Sequence, residues 1–152
     1  MSDKDKKEEM IAELVVILPM FMGTLLKGSN IQTAARLNIT EEKTLMYIHK
    51  HEGSTMTEYS KRVGLAPGSF TTVADSLEEK GLVGRVSDSD DRRKYALVLT
   101  KEGKRIAREI NTQFKAHIAS RLASLTGKDL NDLKKALEII AATVEKINGK
   151  RN

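Results

Sequence analysis

Three groups of residues in this chain have the types and spacing to do chemistry, and each points to a polyanion rather than to a bond-making reaction. Lys101, Lys104, Arg105 and Arg108 recur at i, i+3, i+4 and i+7, so on a helix they share one face. Arg92 and Arg93 end a polar run that starts at Ser87, and Lys94 follows them. Pro67-Gly68-Ser69-Phe70-Thr71-Thr72 is a helix start rich in hydroxyls. Cations spaced this way can neutralise phosphates, and hydroxyls and the unpaired N–H groups of a helix N-terminus can bond them. Each group also has a plainer reading, as the solvated face of an amphipathic helix, a polar turn, and a capping turn.

Other chemistry finds little to work with. His49 and His51 are two apart on a helical stretch and point to nearly opposite sides, so they cannot share a metal, and His117 stands alone. There is no cysteine, which excludes disulfides, thiolate metal sites and a thiol redox switch. No glycine-rich phosphate loop or serine nucleophile elbow is present. No enzyme, cofactor or metal is therefore expected. The net charge is +5 over 152 residues, and it is not spread evenly. Residues 95–128 carry seven Lys/Arg against two Asp/Glu, which equals the whole excess. That block contains the Lys101–Arg108 face.

The elements that must position these residues can be read from periodicity and caps. An apolar run predicts a helix from about Glu8 to Lys27, kinked or broken by Pro19. Its apolar residues cover more than one face, more than a small core can bury, so a subunit contact is a natural use. Asp3, Asp5, Glu8 and Glu9 spoil the basic start a signal peptide needs, and the run is short for a membrane span, so neither secretion nor membrane insertion is expected. Gly28 to Asn38 reads as a connector. Thr40 can cap a helix reaching about His51. Thr55 and Glu58 have capping-box spacing before a short helix ending at Gly64. Pro67 suits the first position of the next helix, which carries Phe70, Val73, Ala74 and Leu77 on one face and ends at Gly81. Leu82, Val83 and Val86, the polar turn, and the alternating Tyr95, Leu97 and Leu99 predict a hairpin. Thr100 can cap a long helix. Thr126 and Asp129 open a last one, in which Leu130, Leu133, Leu137, Ile140, Val144 and Ile147 run nearly in heptads.

The expected fold is mainly α with a small β-hairpin (α+β). Two helices meet across Gly64-Leu65-Ala66 as a helix-turn-helix, and the hairpin after the second is a wing. Duplex DNA suits such a shape, because its major groove admits one helix and the adjoining minor groove a basic loop. Winged helices also serve as protein-docking modules without specific DNA binding. The Arg pair at the wing tip argues against that second reading.

The residues from Thr55-Met56-Thr57-Glu58 through Gly64-Leu65, Pro67 to Thr72, and Leu77-Glu78-Glu79-Lys80-Gly81-Leu82-Val83 resemble the MarR (multiple antibiotic resistance regulator) family. Arg85, Asp91-Arg92-Arg93, Leu97-Val98-Leu99-Thr100 and Gly103 continue the pattern. Two features depart from it: Pro19, inside a helix the family usually keeps whole, and the 28–38 connector. The resemblance implies one chain over 1–152, with a winged helix-turn-helix lobe at about 40–100. Its dimerisation helices would lie at about 8–28 and 101–148. It implies a cytoplasmic, homodimeric regulator of transcription, a repressor on pseudopalindromic duplex operators. Pro67, Gly68, Ser69, Thr71 and Thr72 would start the helix entering the major groove. Arg85, Arg92, Arg93 and Lys94 would serve the wing, with Arg92 in the minor groove and Asp91 bracing the turn. It further implies relief by a small aromatic or anionic effector, with Met20, Phe21, Met46, Tyr47 and Phe114 as apolar lining that could equally be core. From spacing alone, Lys101, Lys104 and Arg105 are candidate phosphate contacts.

Overall fold

The structure is a computed structural model that describes residues 1–87, 90–91 and 93–149. Its elements run α1 (Asp3–Leu14), α2 (Ile17–Leu26), α3 (Ile39–Lys50), α4 (Met56–Val63), α5 (Pro67–Glu79), β1 (Val83–Ser87), β2 (Tyr95–Leu99), α6 (Lys101–Arg121) and α7 (Gly127–Gly149). The chain divides into two compact units. One holds Ser29–Ala116, and the other Met1–Gly28 together with the chain from His117 onward.

The Ser29–Ala116 unit contains the core. Leu45 and Ile48 of α3, Tyr59 and Val63 of α4, and Phe70, Ala74 and Leu77 of α5 are buried together with Leu82, Val83, Leu97, Leu99, Ile106, Ala107 and Ile110. The α5 positions are those predicted from periodicity, except that Val73 packs only partly buried at the rim. The hairpin is antiparallel, pairing Val83 with Leu99, Arg85 with Leu97 and Ser87 with Tyr95. Thr55 adds an isolated bridge to Ala96, tying the start of α4 to the outer edge of β2.

Local chemistry sets the ends of these elements. The Thr55–Glu58 capping box forms in both directions, at 3.2 and 2.8 Å. Gly64 ends α4 at φ 77°, where a Cβ would be strained. After α5 the Leu82 N–H bonds the Leu77 carbonyl and the Gly81 N–H bonds that of Glu78, a Schellman turn that sends the chain back along the helix as β1. Thr40 does not cap α3. Asn38 does, in a capping box with Glu41, and Thr40 becomes the second helical residue. The amide of Asn38 reaches the third helical N–H from two residues further back, which starts the helix at Ile39.

In the other unit the first helix starts five residues earlier than predicted, at Asp3, on a capping box between Ser2 and Asp5. It breaks at Val15–Val16, and the cause is Pro19. A proline has no N–H for the carbonyl four residues back and its ring crowds that carbonyl, which here belongs to Val15. The chain restarts as α2 with Pro19 in its first turn, where a missing N–H costs nothing. On α6, His117 Nε2 meets the Leu25 carbonyl at 2.9 Å and Arg121 Nε donates to the Thr24 carbonyl at 3.0 Å. One helical turn apart, they satisfy the last carbonyls of α2. Neither α1, α2 nor α7 contains a buried residue, although Met10, Ile11, Leu14, Leu18, Leu137, Ile140, Val144 and Ile147 are all large and apolar. Leu122, Leu130, Leu133, Leu137 and Ala141 line an open apolar groove with Lys134 and Glu138 at its rim. Asp3–Leu26 is long and apolar enough to cross a membrane by length and composition.

Candidate nucleic-acid interface

The first half of α5 presents an exposed face of the helix-turn-helix. Pro67, Gly68, Ser69, Thr71 and Thr72 all lie at the surface, while Phe70 and Ala74 anchor the opposite face. Ala66 precedes the helix and offers no side-chain cap, so the N–H groups of Gly68 and Ser69 face outward without one. Pro67 has no N–H to satisfy. Thr71 Oγ1 donates to the Pro67 carbonyl at 2.9 Å and Thr72 Oγ1 to that of Gly68 at 3.3 Å, leaving their lone pairs outward. This surface offers the amide donors of Gly68 and Ser69, which favour an anion, beside hydroxyl lone pairs that can accept.

Two carboxylates on α5, Asp75 and Glu78, would repel such a partner. Arg85 of β1 answers both, through a hydrogen-bonded ion pair with Asp75 and a looser contact of 3.6 Å to Glu78. Arg85 was expected among the DNA contacts. Its guanidinium also ties the base of the wing to α5. The sequence shows Arg85, Asp75 and Glu78, but not that the reversal at Gly81 brings them together.

At the far end of the hairpin, Asp91 accepts the Arg93 backbone N–H at 3.0 Å through its carboxylate and that of Lys94 at 3.0 Å through its carbonyl. Arg93 and Lys94 are exposed. Arg92 lies outside the described residues. On α6, Lys101 and Lys104 are exposed, and Lys104 reaches Glu52 only at 3.9 Å. Arg105 differs from them. It bonds both oxygens of Glu102, at 3.0 and 2.6 Å, and Glu109 at 2.8 Å, so two carboxylates already offset its charge. Met20 and Phe21 belong to one unit and Met46, Tyr47 and Phe114 to the other. Met46 and Tyr47 pack against the core. Among the described residues no cluster of His, Cys, Asp and Glu could hold a metal.

A network absent from the sequence reading fixes α5 from behind. The Glu41 carboxylate, 3% exposed, accepts Ser76 Oγ at 2.5 Å, Lys80 Nζ at 2.8 Å and the Asn38 N–H at 2.9 Å. Lys80 also donates to the Arg36 carbonyl at 2.7 Å. Burial alone would push the Glu41 carboxyl up. The hydrogen bonds from Lys80, Ser76 and Asn38, with the Lys80 charge, outweigh it and hold the pKa below the ordinary value.

A helix-turn-helix with a free, donor-lined second helix and a hairpin directly behind it is a winged helix-turn-helix, a module that binds duplex DNA. The MarR family model matches residues 37–95. The chain is 34% identical over 110 residues to the HTH-type transcriptional repressor MdtR of Bacillus subtilis, covering 70% of this chain and 71% of that one. Streptococcus pneumoniae FabT, solved in complex with DNA, is 26% identical, with a TM-score of 0.63 over 95% of this chain and 99% of that one. A MarR family protein from Bacillus stearothermophilus shares the fold with a TM-score of 0.75 at 24% identity, over 90% and 96% of the two chains. The chain belongs to the MarR family and is a DNA-binding regulator of transcription.

Arg85→Ala is expected to weaken DNA binding chiefly by exposing Asp75 and Glu78 to phosphate, with a stability loss of about 1 kcal/mol, because the pair is partly solvated. Binding isotherms in an Asp75→Asn background check this. If Arg85 is a brace, its removal there costs much less than in the native chain. An unchanged cost, with a smaller salt slope, would make it a phosphate contact.

Proposed function

We propose that the chain works in the cytoplasm as a homodimer that represses transcription from a pseudopalindromic operator. The observation that carries this reading is the uncapped, exposed start of α5 beside the basic wing. Each subunit lays Pro67, Gly68, Ser69, Thr71 and Thr72 into the major groove, about one helical turn (roughly 34 Å) from its partner's. Arg92 serves the minor groove, with Arg93 and Lys94 beside it on the wing and Asp91 bracing the turn. With no Arg, Asn or Gln in the first turn and a half of α5, readout rests on hydroxyl and water-mediated contacts and on DNA shape. The winged lobe spans about 40–100, and the helices at about 8–28 and 101–148 dimerise. The open apolar faces of α1, α2 and α7 support a second subunit as their cover, in place of a membrane.

Repression is relieved by a small aromatic or anionic effector. Such a ligand acts by favouring one spacing of the two recognition helices over another. PcaV of Streptomyces coelicolor, a regulator of the same fold, was solved with its natural ligand.

Hydroxyl-radical footprinting with sedimentation of the complex tests the assembly. Two protected half-sites about one turn apart, with two chains per duplex, are expected. A single half-site with one chain contradicts the dimer. Among the α6 cations, Lys101→Ala and Lys104→Ala are each expected to lower the salt slope of binding by about one. Arg105→Ala leaves it unchanged, because Glu102 and Glu109 already offset that charge. Unchanged slopes for all three would remove α6 from the interface.

A further inference from the structure

We propose that Tyr95 is a DNA contact, its hydroxyl donating to a phosphate of the strand that separates the groove entered by α5 from the groove entered by the wing. The proposal rests on the docking described above and goes beyond the residues assigned there. Alternation along β2 puts Tyr95 on the same sheet face as Leu97 and Leu99, which are 0% and 6% exposed. Tyr95 itself is 43% exposed. The core has ended by that rung, and an aromatic side chain on the core-facing side of the hairpin is left partly open to solvent. Among the described residues its hydroxyl has no hydrogen-bond partner.

The register fixes what lies opposite. Tyr95 pairs with Ser87, one rung beyond Arg85 on that face, and Arg85 reaches Asp75 and Glu78. Because β1 doubles back along α5 after Gly81, moving toward the wing tip means moving toward the start of the helix. Two strand residues advance roughly 6.6 Å. At 1.5 Å per helical residue that is about four positions, from Asp75 to the level of Thr71. Tyr95 therefore lies between the exposed hydroxyls of α5 and the basic tip at Arg93 and Lys94. With the helix in one groove and the wing in the next, the element between them is the sugar–phosphate strand. A phenol there offers a donor without charge and an apolar ring for the sugar.

The test uses fluorescence anisotropy with full-length wild-type, Tyr95→Phe and Arg93→Ala proteins. The duplexes come from the chain's own upstream region, unmodified or carrying one neutral methylphosphonate at successive positions. Tyr95→Phe is expected to bind the unmodified duplex about tenfold more weakly. Its thermal midpoint and salt slope stay at wild-type values, because a neutral contact releases no counterion. At one phosphate per half-site, neutralisation that weakens the wild type is expected to cost Tyr95→Phe nothing further. Tyr95→Phe binding within about twofold of wild type, or losses that add at every phosphate, overturns the contact. If Arg93→Ala is weakened while Tyr95→Phe is not, the docking stands and the Tyr95 contact alone falls. If neither is weakened, the placement of the wing falls with it.

Discussion

Gly103→Ala is expected to be the most damaging small substitution in the winged lobe, costing roughly 3 kcal/mol or more of stability. A Cβ at that position would lie 1.9 Å from the Leu82 carbonyl oxygen and 2.9 Å from its carbon. Both are backbone atoms, so no rotamer can relieve the clash. Nor can the Leu82 peptide move aside freely. Its carbonyl accepts the Thr100 N–H at 3.1 Å, and Thr100 Oγ1 donates to the Gly81 carbonyl at 2.6 Å while accepting the Gly103 N–H at 3.0 Å. These bonds join the exit of the recognition helix, the end of the wing and the start of α6 at one point. Thermal or denaturant unfolding measures the loss. A variant as stable as the native chain would mean that α6 does not cross the Leu82 peptide this closely. DNA affinity at a temperature where the variant is still folded should also fall, because any relief of the clash shifts the end of α5.

Glu41→Ala is expected to cost about 3 kcal/mol. The substitution removes half of the Asn38 capping box and leaves Ser76, and in part Lys80, without a partner at the back of α5. Lys80 is about one-third exposed and can turn to water, so the cost stays below that of a fully buried pair. Glu41→Gln separates charge from shape and adds a pH signature. The folded state holds the Glu41 pKa below its ordinary value of 4.5, so the unfolded chain takes up the proton first. The stabilisation from the charge is complete above that value and is lost as pH falls through the lower, folded one. Glu41→Gln should be less stable than the native chain at pH 7, and the gap should close on acidification below about pH 4.5. A gap independent of pH would mean that the charge contributes nothing and the side chain acts by shape alone.

What could be read from the sequence was local in its physics. The Thr55–Glu58 box, the left-handed Gly64, Pro67 at a helix start and the Gly81 turn each need only a few neighbouring residues, and each stands where its chemistry put it. The alternation of Tyr95, Leu97 and Leu99 predicted the strand for the same reason. Thr40 is a plausible cap by residue type, but Asn38, two residues earlier, has a glutamate at the capping-box spacing and forms the cap with Glu41. Pro19 was read as a break, and the break falls four residues before it because a proline disturbs the carbonyl behind it. The parts that stayed hidden depend on chain reversals. Glu41 meets Ser76 and Lys80 across 35 and 39 residues. Arg85 meets Asp75 only because the chain doubles back. Arg105 looked like its neighbours in the basic stripe until its geometry against Glu102 and Glu109 was known. The apolar excess of the first and last helices is visible in the sequence at once, and those faces stand open in the fold.

The central claim, sequence-specific recognition of duplex DNA, is tested most directly by fluorescence anisotropy. The purified protein is titrated against a labelled duplex from its own upstream region and against a scrambled duplex of the same composition, at several salt concentrations. Tight binding to the native duplex is predicted, with an affinity that falls as salt rises and a preference of at least about a thousandfold over the scrambled one. Absence of binding to either duplex at low salt would contradict it.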